Sequence, residues 1–363
     1  MNRIRVTTNK AGRVNSLGER VYWSAVYSSD SIAAEVKMHR NVLPGAQHPY
    51  YLEDGEGSRC LLGPLLATTI GRREDTGSLM EGVLLTGAKG CRVPLHRHSN
   101  SHEAIYVIEG SATLRLAEEE FALEGGDYVS APPGTAHSFS FTSHRTRLLT
   151  WTFGGNGAAM YESLGQPTKS VTYSAQAEQP DWRMPLPGVD VEFLSESSSV
   201  RLGEKSLVAP PAIEPYVIPA GEGERMMAGD TLFSFLTDSR QSGGKFLVLM
   251  TDGPKGHRIP NHLHEKHTET FFCLNGCVSM TAGEDQVWLR PGDFLHVPAR
   301  TPHTFQLTGH NNRFIQFHAP GLNEPFFRYM CDPCNEYTFL QPPPPFRFDR
   351  VVEHLAELDV KFL

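Results

Sequence analysis

Two histidines one residue apart, with a glutamate five residues later, form the most chemically suggestive pattern in the chain. The stretch VPLHRHSNSHEAIYVIEG, residues 93–110, carries His96, His98 and Glu103. Residues i and i+2 of a β-strand point to the same face and lie about 6.6 Å apart, so two imidazoles placed this way can converge on one ion. The alternative for an isolated H-x-H pair is two unrelated surface histidines.

The pattern occurs a second time at a constant spacing, in the stretch IPNHLHEKHTETFFCLNG. An offset of 166 positions (262 − 96 = 166) relates all members of two sets: His96, His98, Glu103 and His137, and His262, His264, Glu269 and His303. The offset already holds upstream, from Pro49 to Pro215 (215 − 49 = 166). Because unrelated histidines would not keep these spacings, the chain contains two copies of one module.

Each set offers three imidazoles and one carboxylate, which first-row transition metals accept as ligands. We therefore expect one divalent transition metal in each module: iron, manganese, nickel, cobalt or copper, with zinc as a further candidate. No set of thiolates accompanies the histidines, which argues against a closed structural zinc site. A metal that takes five or six ligands would keep positions open for water, substrate or dioxygen.

The elements that must position these side chains are predicted to be strands. EAIYVIEGSATLRL and ETFFCLNGCVSMTA are β-branched and aromatic runs broken by a Gly turn, as in hairpins. Short strands with close turn signals predict a sandwich or barrel. A Gly-, Ser- and Gln-rich connector divides the chain into an N-terminal module, residues 1–185, and a C-terminal module, residues 186–363. Val352, Leu355 and Leu358 have helical spacing and predict a helix packed on a sheet.

Glycines around the two sets identify the modules as members of the cupin superfamily. Residues 90–110 and 256–276 both follow the first cupin motif, which consists of Gly, five residues, H-x-H, four residues, Glu, six residues and Gly. The resemblance implies an all-β bicupin: two double-stranded β-helix (jelly-roll) barrels with a few short helices. A second cupin motif surrounds the third histidine of each set. In the C-terminal copy it has Arg300 where Gly is usual, and this predicts an altered turn before His303. Phe141 and Leu307 replace its closing Asn, outside the ligand set.

A finer resemblance comes from PYYLEDGEGSR at 49–59 and its echo PYVIPAGEGER, which make the chain similar to bicupin quercetin 2,3-dioxygenases. The resemblance implies cleavage of a flavonol ring by dioxygen, with release of carbon monoxide and a phenolic ester (depside). It implies that Glu103 binds the metal and takes the proton of the substrate's 3-hydroxyl. It also implies that the N-terminal site does the chemistry, with Glu269 as the base of a second site if both are active.

Strand parity places apolar residues on the same face as the two glutamates, where they would suit a flat aromatic substrate. These predicted pocket residues are Ile105 and Val107 in the first module and Phe271 and Cys273 in the second. Plain core packing is the alternative for all four. His102 and His267 are adjacent to the ligands but are not related by the offset, so we predict loop or supporting roles for them.

Composition limits the other functions of the 363-residue chain. A net charge of −8 argues against a nucleic-acid partner, and no apolar run approaches membrane-spanning length. The first 23 residues lack the apolar core of a secretory signal, so we expect a cytoplasmic protein, the alternative being a leader removed before Met1. The expected partners are a small polyphenol-like aromatic substrate and O2, with a homodimer left open.

Cys331 and Cys334 form a CDPC motif, for which free or locally bridged thiols are favoured over a redox or zinc half-site.

Two other functions stay open at this stage. One is a bicupin enzyme of another reaction class: a decarboxylase, an isomerase or a dioxygenase acting on a different enolic or polyketide ring. Small dianionic substrates would need cationic residues in the pocket, and the predicted inward residues are apolar. The other is a non-enzymatic ligand-binding cupin, which the complete set of eight ligand positions disfavours.

Overall fold

The computed structural model describes residues 37–195 and 199–363, together with a short antiparallel pair, β1 (Arg13–Val14) and β2 (Arg20–Val21). The sequence predicts no secretory signal in the first 23 residues. Apart from that strand pair, these residues lie outside the described part of the chain. In the part of the chain that the structure describes, no helix has both the length and the apolar character needed to cross a bilayer.

Strands dominate both halves, as predicted. The N-terminal half and the connector contain β3 (His39–Arg40), β4 (Tyr50–Leu52), β5 (Ser58–Leu62), β6 (Leu65–Gly71), β7 (Met80–Gly87), β8 (Arg92–Arg97), β9 (His102–Glu109), β10 (Ser111–Leu116), β11 (Glu119–Glu124), β12 (Tyr128–Ala131), β13 (His137–Phe141), β14 (Thr146–Phe153), α1 (Ala159–Leu164), β15 (Gln166–Pro167), β16 (Glu192–Phe193) and β17 (Arg201–Leu202).

The C-terminal half repeats the pattern. It contains β18 (Tyr216–Ile218), β19 (Glu224–Ala228), β20 (Thr231–Thr237), α2 (Ser239–Ser242), β21 (Leu247–Gly253), β22 (His262–Leu263), β23 (Thr268–Asn275), β24 (Val278–Ala282), β25 (Asp285–Leu289), β26 (Phe294–Val297), β27 (His303–Leu307), β28 (Asn312–Ala319), α3 (Glu324–Met330), β29 (Asp332–Pro333), α4 (Phe348–Glu353) and β30 (Lys361–Phe362).

Each module is built from a large and a small sheet, which confirms the all-β bicupin. The N-terminal sheets have the orders β15-β5-β6-β7-β14-β9-β12-β18 and β16-β8-β13-β10-β11-β17. The C-terminal sheets have the orders β29-β19-β20-β21-β28-β23-β26-β4-β3 and β25-β24-β27-β22-β30. Equivalent strands occupy equivalent places in both modules, as expected for duplicated copies.

The modules exchange edge strands. Strand β4, from the N-terminal half, pairs antiparallel with β26 of the C-terminal module. Strand β18, from the C-terminal half, pairs antiparallel with β12 of the N-terminal module. These are the two PYY/PYV stretches singled out in the sequence, so each completes the large sheet of the other module.

A shared hydrophobic core lies between the modules, on the outer faces of the two large sheets. Its members include Trp151, which is fully buried and packs against Phe294 and Phe317 with ring centroids 5.5 Å and 5.1 Å away. Phe153 stacks on Phe246 at 3.9 Å. Separate cores fill the modules themselves, so the large sheets are covered on both faces.

The predicted C-terminal helix is only partly correct. Helix α4 ends at Glu353, a 3₁₀ turn follows at Leu355–Glu357, and the chain then extends into β30. Val351 is the residue that α4 buries, whereas Val352 is half exposed. The predicted apolar face at Val352, Leu355 and Leu358 was wrong because the last residues pair with β22 beside the second histidine set.

Candidate metal centres

The N-terminal centre forms between strands β8 and β13 of the small sheet and strand β9 of the large sheet. His96 near the end of β8 pairs directly with His137 at the start of β13. His98 follows β8, and Glu103 lies on β9 of the large sheet. One ligand atom from each of these four buried residues lies within 4.8 Å of those of the others. The structure therefore brings together the complete predicted set.

Hydrogen bonds fix the orientation of the three imidazoles. Nδ1 of His96 donates to the carbonyl of Pro94 at 2.8 Å, and Nδ1 of His137 donates to that of Thr135 at 2.9 Å. Nδ1 of His98 donates to the carbonyl of Asp190. Because the carbonyls accept these protons, Nε2 of each ring is left for an ion, which is the usual arrangement in metal-binding histidines.

The charges of the N-terminal centre favour a cation. Oε2 of Glu103 lies 2.8 Å from Nε2 of His137 and 3.3 Å from Nε2 of His98. Burial would raise the pKa of Glu103, but its interactions with His137 and His98 hold that pKa well below its usual value. Burial keeps the pKa of His96 low, and its Nε2 has no hydrogen-bond partner among the described residues. A buried carboxylate beside unpaired imidazole nitrogen fits a divalent transition metal.

The C-terminal centre uses the same strand geometry. His262 on β22 pairs with His303 on β27. Nδ1 of His262 donates to the carbonyl of Pro260 at 2.9 Å, and Nδ1 of His264 to that of Asp359 at 2.6 Å. Burial lowers the pKa of His264 to about 4, so this imidazole is neutral. These histidines would hold the second ion.

Glu269 has more partners than Glu103. Its Oε2 lies 3.2 Å from Nε2 of His303, and its Oε1 lies 3.1 Å from Nε2 of His264. Oε1 also lies 3.0 Å from Nδ1 of His318 and accepts a hydrogen bond from Asn323 at 2.8 Å. Two overlapping ligand groups result: His262, His264 and His303, and His264, His267 and Glu269.

Sequence reasoning missed His318 and Asn323. His318 lies on β28 directly opposite Glu269 on β23, and its counterpart in the first copy is Thr152, opposite Glu103. A position-by-position comparison of the copies would have found this difference. His102, predicted as a loop or supporting residue, is a buried residue at the start of β9 and forms a hydrogen bond with Ser130 at 2.7 Å. The loop position was wrong, and the supporting role stays a prediction.

The predicted pocket residues all lie in the module cores. Ile105 and Val107 belong to the N-terminal core, and Phe271 and Cys273 to the C-terminal core. All four are almost completely buried. Their packing fits the core alternative, and contact with a substrate stays a prediction.

Cys331 and Cys334 are free thiols, as are the other four cysteines. Burial raises the pKa of the Cys331 thiol well above its usual value, which disfavours the thiolate. Neither cysteine belongs to a group of potential metal ligands in the described part of the chain.

The substitution at Arg300 does not alter the turn before His303. Arg300 has φ = 67°, in the left-handed region that Gly134 occupies in the first copy with φ = 86°. Both residues donate their backbone N–H over 2.6 Å, Gly134 to the carbonyl of His98 and Arg300 to that of His264. The prediction was wrong because the surrounding turn imposes the same conformation, at a cost of about 1 kcal/mol for a non-glycine residue.

In each module, one aspartate accepts hydrogen bonds from the backbone of the loop that follows the H-x-H pair, and we call this aspartate the strap of the loop. The carboxylate of Asp190 accepts hydrogen bonds from the backbone N–H groups of Ser99, Asn100 and Ser101 at 2.7–3.3 Å. Asp359 accepts from the backbone of residues 265–267 in the same way. The straps are 169 positions apart (359 − 190 = 169) rather than 166, so the constant offset does not reveal them.

We expect Asp190→Ala to weaken metal binding at the N-terminal centre by about 10- to 100-fold, because the loop that aims His98 loses its anchor. Metal content after graded chelator challenge would measure this. Asp181→Ala provides the control, since Asp181 is exposed in the same connector. Wild-type metal retention in Asp190→Ala would contradict the role of the strap.

Each module consists of two sheets that face each other and encloses a buried cluster of imidazoles and a carboxylate. Two such modules define the chain as a bicupin. The model of the Cupin domain matches residues 83–153 and 248–314. The chain is 40% identical over 328 residues to quercetin 2,3-dioxygenase of Bacillus subtilis (strain 168), covering 88% of this chain and 97% of that protein. The chain therefore belongs to the quercetin 2,3-dioxygenase family and is a dioxygenase-like enzyme.

A second curated protein and a solved structure are also similar to the chain. Quercetin 2,3-dioxygenase of Aspergillus japonicus is 32% identical over 130 residues, which is 34% of this chain and 37% of that protein. Among solved structures, oxalate decarboxylase of Bacillus subtilis has a TM-score of 0.51 at 18% identity, covering 75% of this chain and 76% of that one. The latter likeness shows the shared bicupin fold alone.

Proposed function

We propose that the protein cleaves the heterocyclic ring of a flavonol such as quercetin with O2, giving a depside and carbon monoxide. The observation that carries this proposal is the convergence of His96, His98, Glu103 and His137 in one buried cluster. The 40% identity to a quercetin 2,3-dioxygenase over nearly that protein's whole length supports the substrate class.

Glu103 is the proposed base. Its hydrogen bonds keep it a carboxylate, the form that accepts the proton of the substrate's 3-hydroxyl. A divalent metal bound by the cluster would supply a Lewis-acidic centre that orients the flavonolate. The surrounding core, including Ile105 and Val107, would exclude water from the reacting ring.

The second base and pocket follow from the repeat. Glu269, Phe271 and Cys273 occupy the equivalent positions in the C-terminal module. We propose that Glu269 contributes less to turnover, because it is surrounded by two additional imidazoles. The metal identity, the cytoplasmic location and a homodimer remain predictions.

The decisive experiment measures oxygen uptake and carbon monoxide together. Metal-free protein is reconstituted separately with iron, manganese, nickel, cobalt and copper, and is mixed with quercetin. We expect equimolar oxygen consumption and carbon monoxide release with at least one metal. A matched control carries His96→Ala and His137→Ala, which removes the N-terminal ligands.

Other outcomes would reject the proposal. Oxygen uptake without carbon monoxide would assign the enzyme to another dioxygenase substrate. Metal binding without uptake would favour decarboxylase or isomerase chemistry, and these would then be tested by release of carbon dioxide or by product isomer analysis.

A further inference from the structure

The two metal centres differ at the positions that border their glutamates. Across the constant offset, Ser101 of the first copy corresponds to His267 of the second, because 267 − 101 = 166. His267 is almost completely buried, and its ring lies 3.9 Å from that of His264, centroid to centroid. The C-terminal centre thus contains an imidazole that the N-terminal centre lacks.

The hydrogen bonds of His267 resemble those of the six predicted histidine ligands. Its Nδ1 donates to Oδ2 of Asp359 at 2.7 Å, which leaves Nε2 on the side of the cluster. Nε2 lies 3.5 Å from Oε1 of Glu269, at the far limit of hydrogen bonding. A carboxylate on one ring nitrogen, with the other facing a ligand set, is the arrangement that orients metal-binding histidines.

The two ligand groups of this module meet at one residue, and neither group alone holds all five side chains. They share His264, whose Nδ1 is already bonded to a carbonyl, so only its Nε2 can bind a metal. Glu269 also links the groups, because its two oxygens contact His264 and His303. An ion bound to Nε2 of His264 would therefore border both groups, one with His262 and His303 and the other with His267 and Glu269.

We propose that His267 is an additional ligand of the C-terminal metal and occupies the coordination position that a substrate or dioxygen would need. At the N-terminal centre the equivalent Ser101 donates its hydroxyl to Asp190 at 2.7 Å and leaves that position open. An ion at the N-terminal centre would then be accessible to small molecules, and one at the C-terminal centre would not. This inference deepens the proposed function, on which its catalytic consequence rests.

The test compares azide binding to cobalt at each centre. One protein retains only the C-terminal centre (His96→Ala with His137→Ala), and the other only the N-terminal centre (His262→Ala with His303→Ala). We expect azide to change the visible cobalt spectrum of the second protein and not of the first. Adding His267→Ser to the first protein should make its spectrum respond to azide and lower its cobalt affinity at least tenfold.

Three controls keep the result interpretable. Circular dichroism and thermal unfolding establish that each variant is folded, and His267→Gln, which preserves more of the buried volume, replaces His267→Ser if that variant does not fold. An azide response with His267 intact, or unchanged cobalt affinity without it, would overturn the proposal. The assay needs no flavonol, so its outcome is separate from that of the turnover assay.

Discussion

Glu103→Gln is expected to lower kcat for flavonol cleavage about 10³-fold while the N-terminal metal is retained. General base catalysis contributes about 10²- to 10⁴-fold, and glutamine has nearly the shape of glutamate but cannot accept the proton. The three histidines keep their carbonyl partners, so an ion should still bind. Metal content and oxygen uptake measured on the same sample separate the two effects.

Glu269→Gln is the matched control, because it makes the same change at the equivalent position. We expect a loss of less than about tenfold, since the additional imidazoles His267 and His318 surround this glutamate. Equal losses of kcat in the two variants would contradict a single working centre. Loss of metal from Glu103→Gln would instead assign this residue mainly to ion binding.

The H-x-H pairs and their glutamates could be predicted because they are close in sequence, whereas His137 and His303, which strand pairing brings to them, were found through the constant offset. H-x-H on a strand places two imidazoles on one face, and the repeat shows that the spacing matters. Non-local features were harder to predict. The partner of Glu269 across the sheet, His318, lies 49 positions away (318 − 269 = 49) and depends on strand pairing that the sequence does not specify.

The same reasoning explains the missed straps and the incomplete helix. Asp190 and Asp359 reach back about 90 residues to their loops, and the spacing between them departs from the repeat. Near the C-terminus, helical spacing competed with pairing of β30 to β22, and pairing prevailed beyond the 3₁₀ turn. Local propensity is a weak guide where tertiary contacts decide.

The boundary at residues 185 and 186 stays a prediction, and a cut there would also remove β16 and β17, which pair with β8 and β11 of the N-terminal small sheet. Strand β4 would leave the C-terminal sheet with the first half, and β18 would leave the N-terminal sheet with the second. Each half would also expose its face of the shared core. Each large aromatic side chain that loses its burial costs about 1.5–3 kcal/mol, and Trp151, Phe294 and Phe317 are all affected.

We therefore expect residues 1–185 and 186–363, produced separately, to lack cooperative thermal unfolding and to retain little metal. Produced together, they should copurify as a one-to-one complex with metal in both centres. The control is a full-length chain with a protease site inserted after Pro185, which is exposed. Cut after folding, it should stay associated and active, because both exchanged strands are already paired. Independent, cooperatively unfolding, metal-binding halves would show instead that each module is complete without its partner's strand.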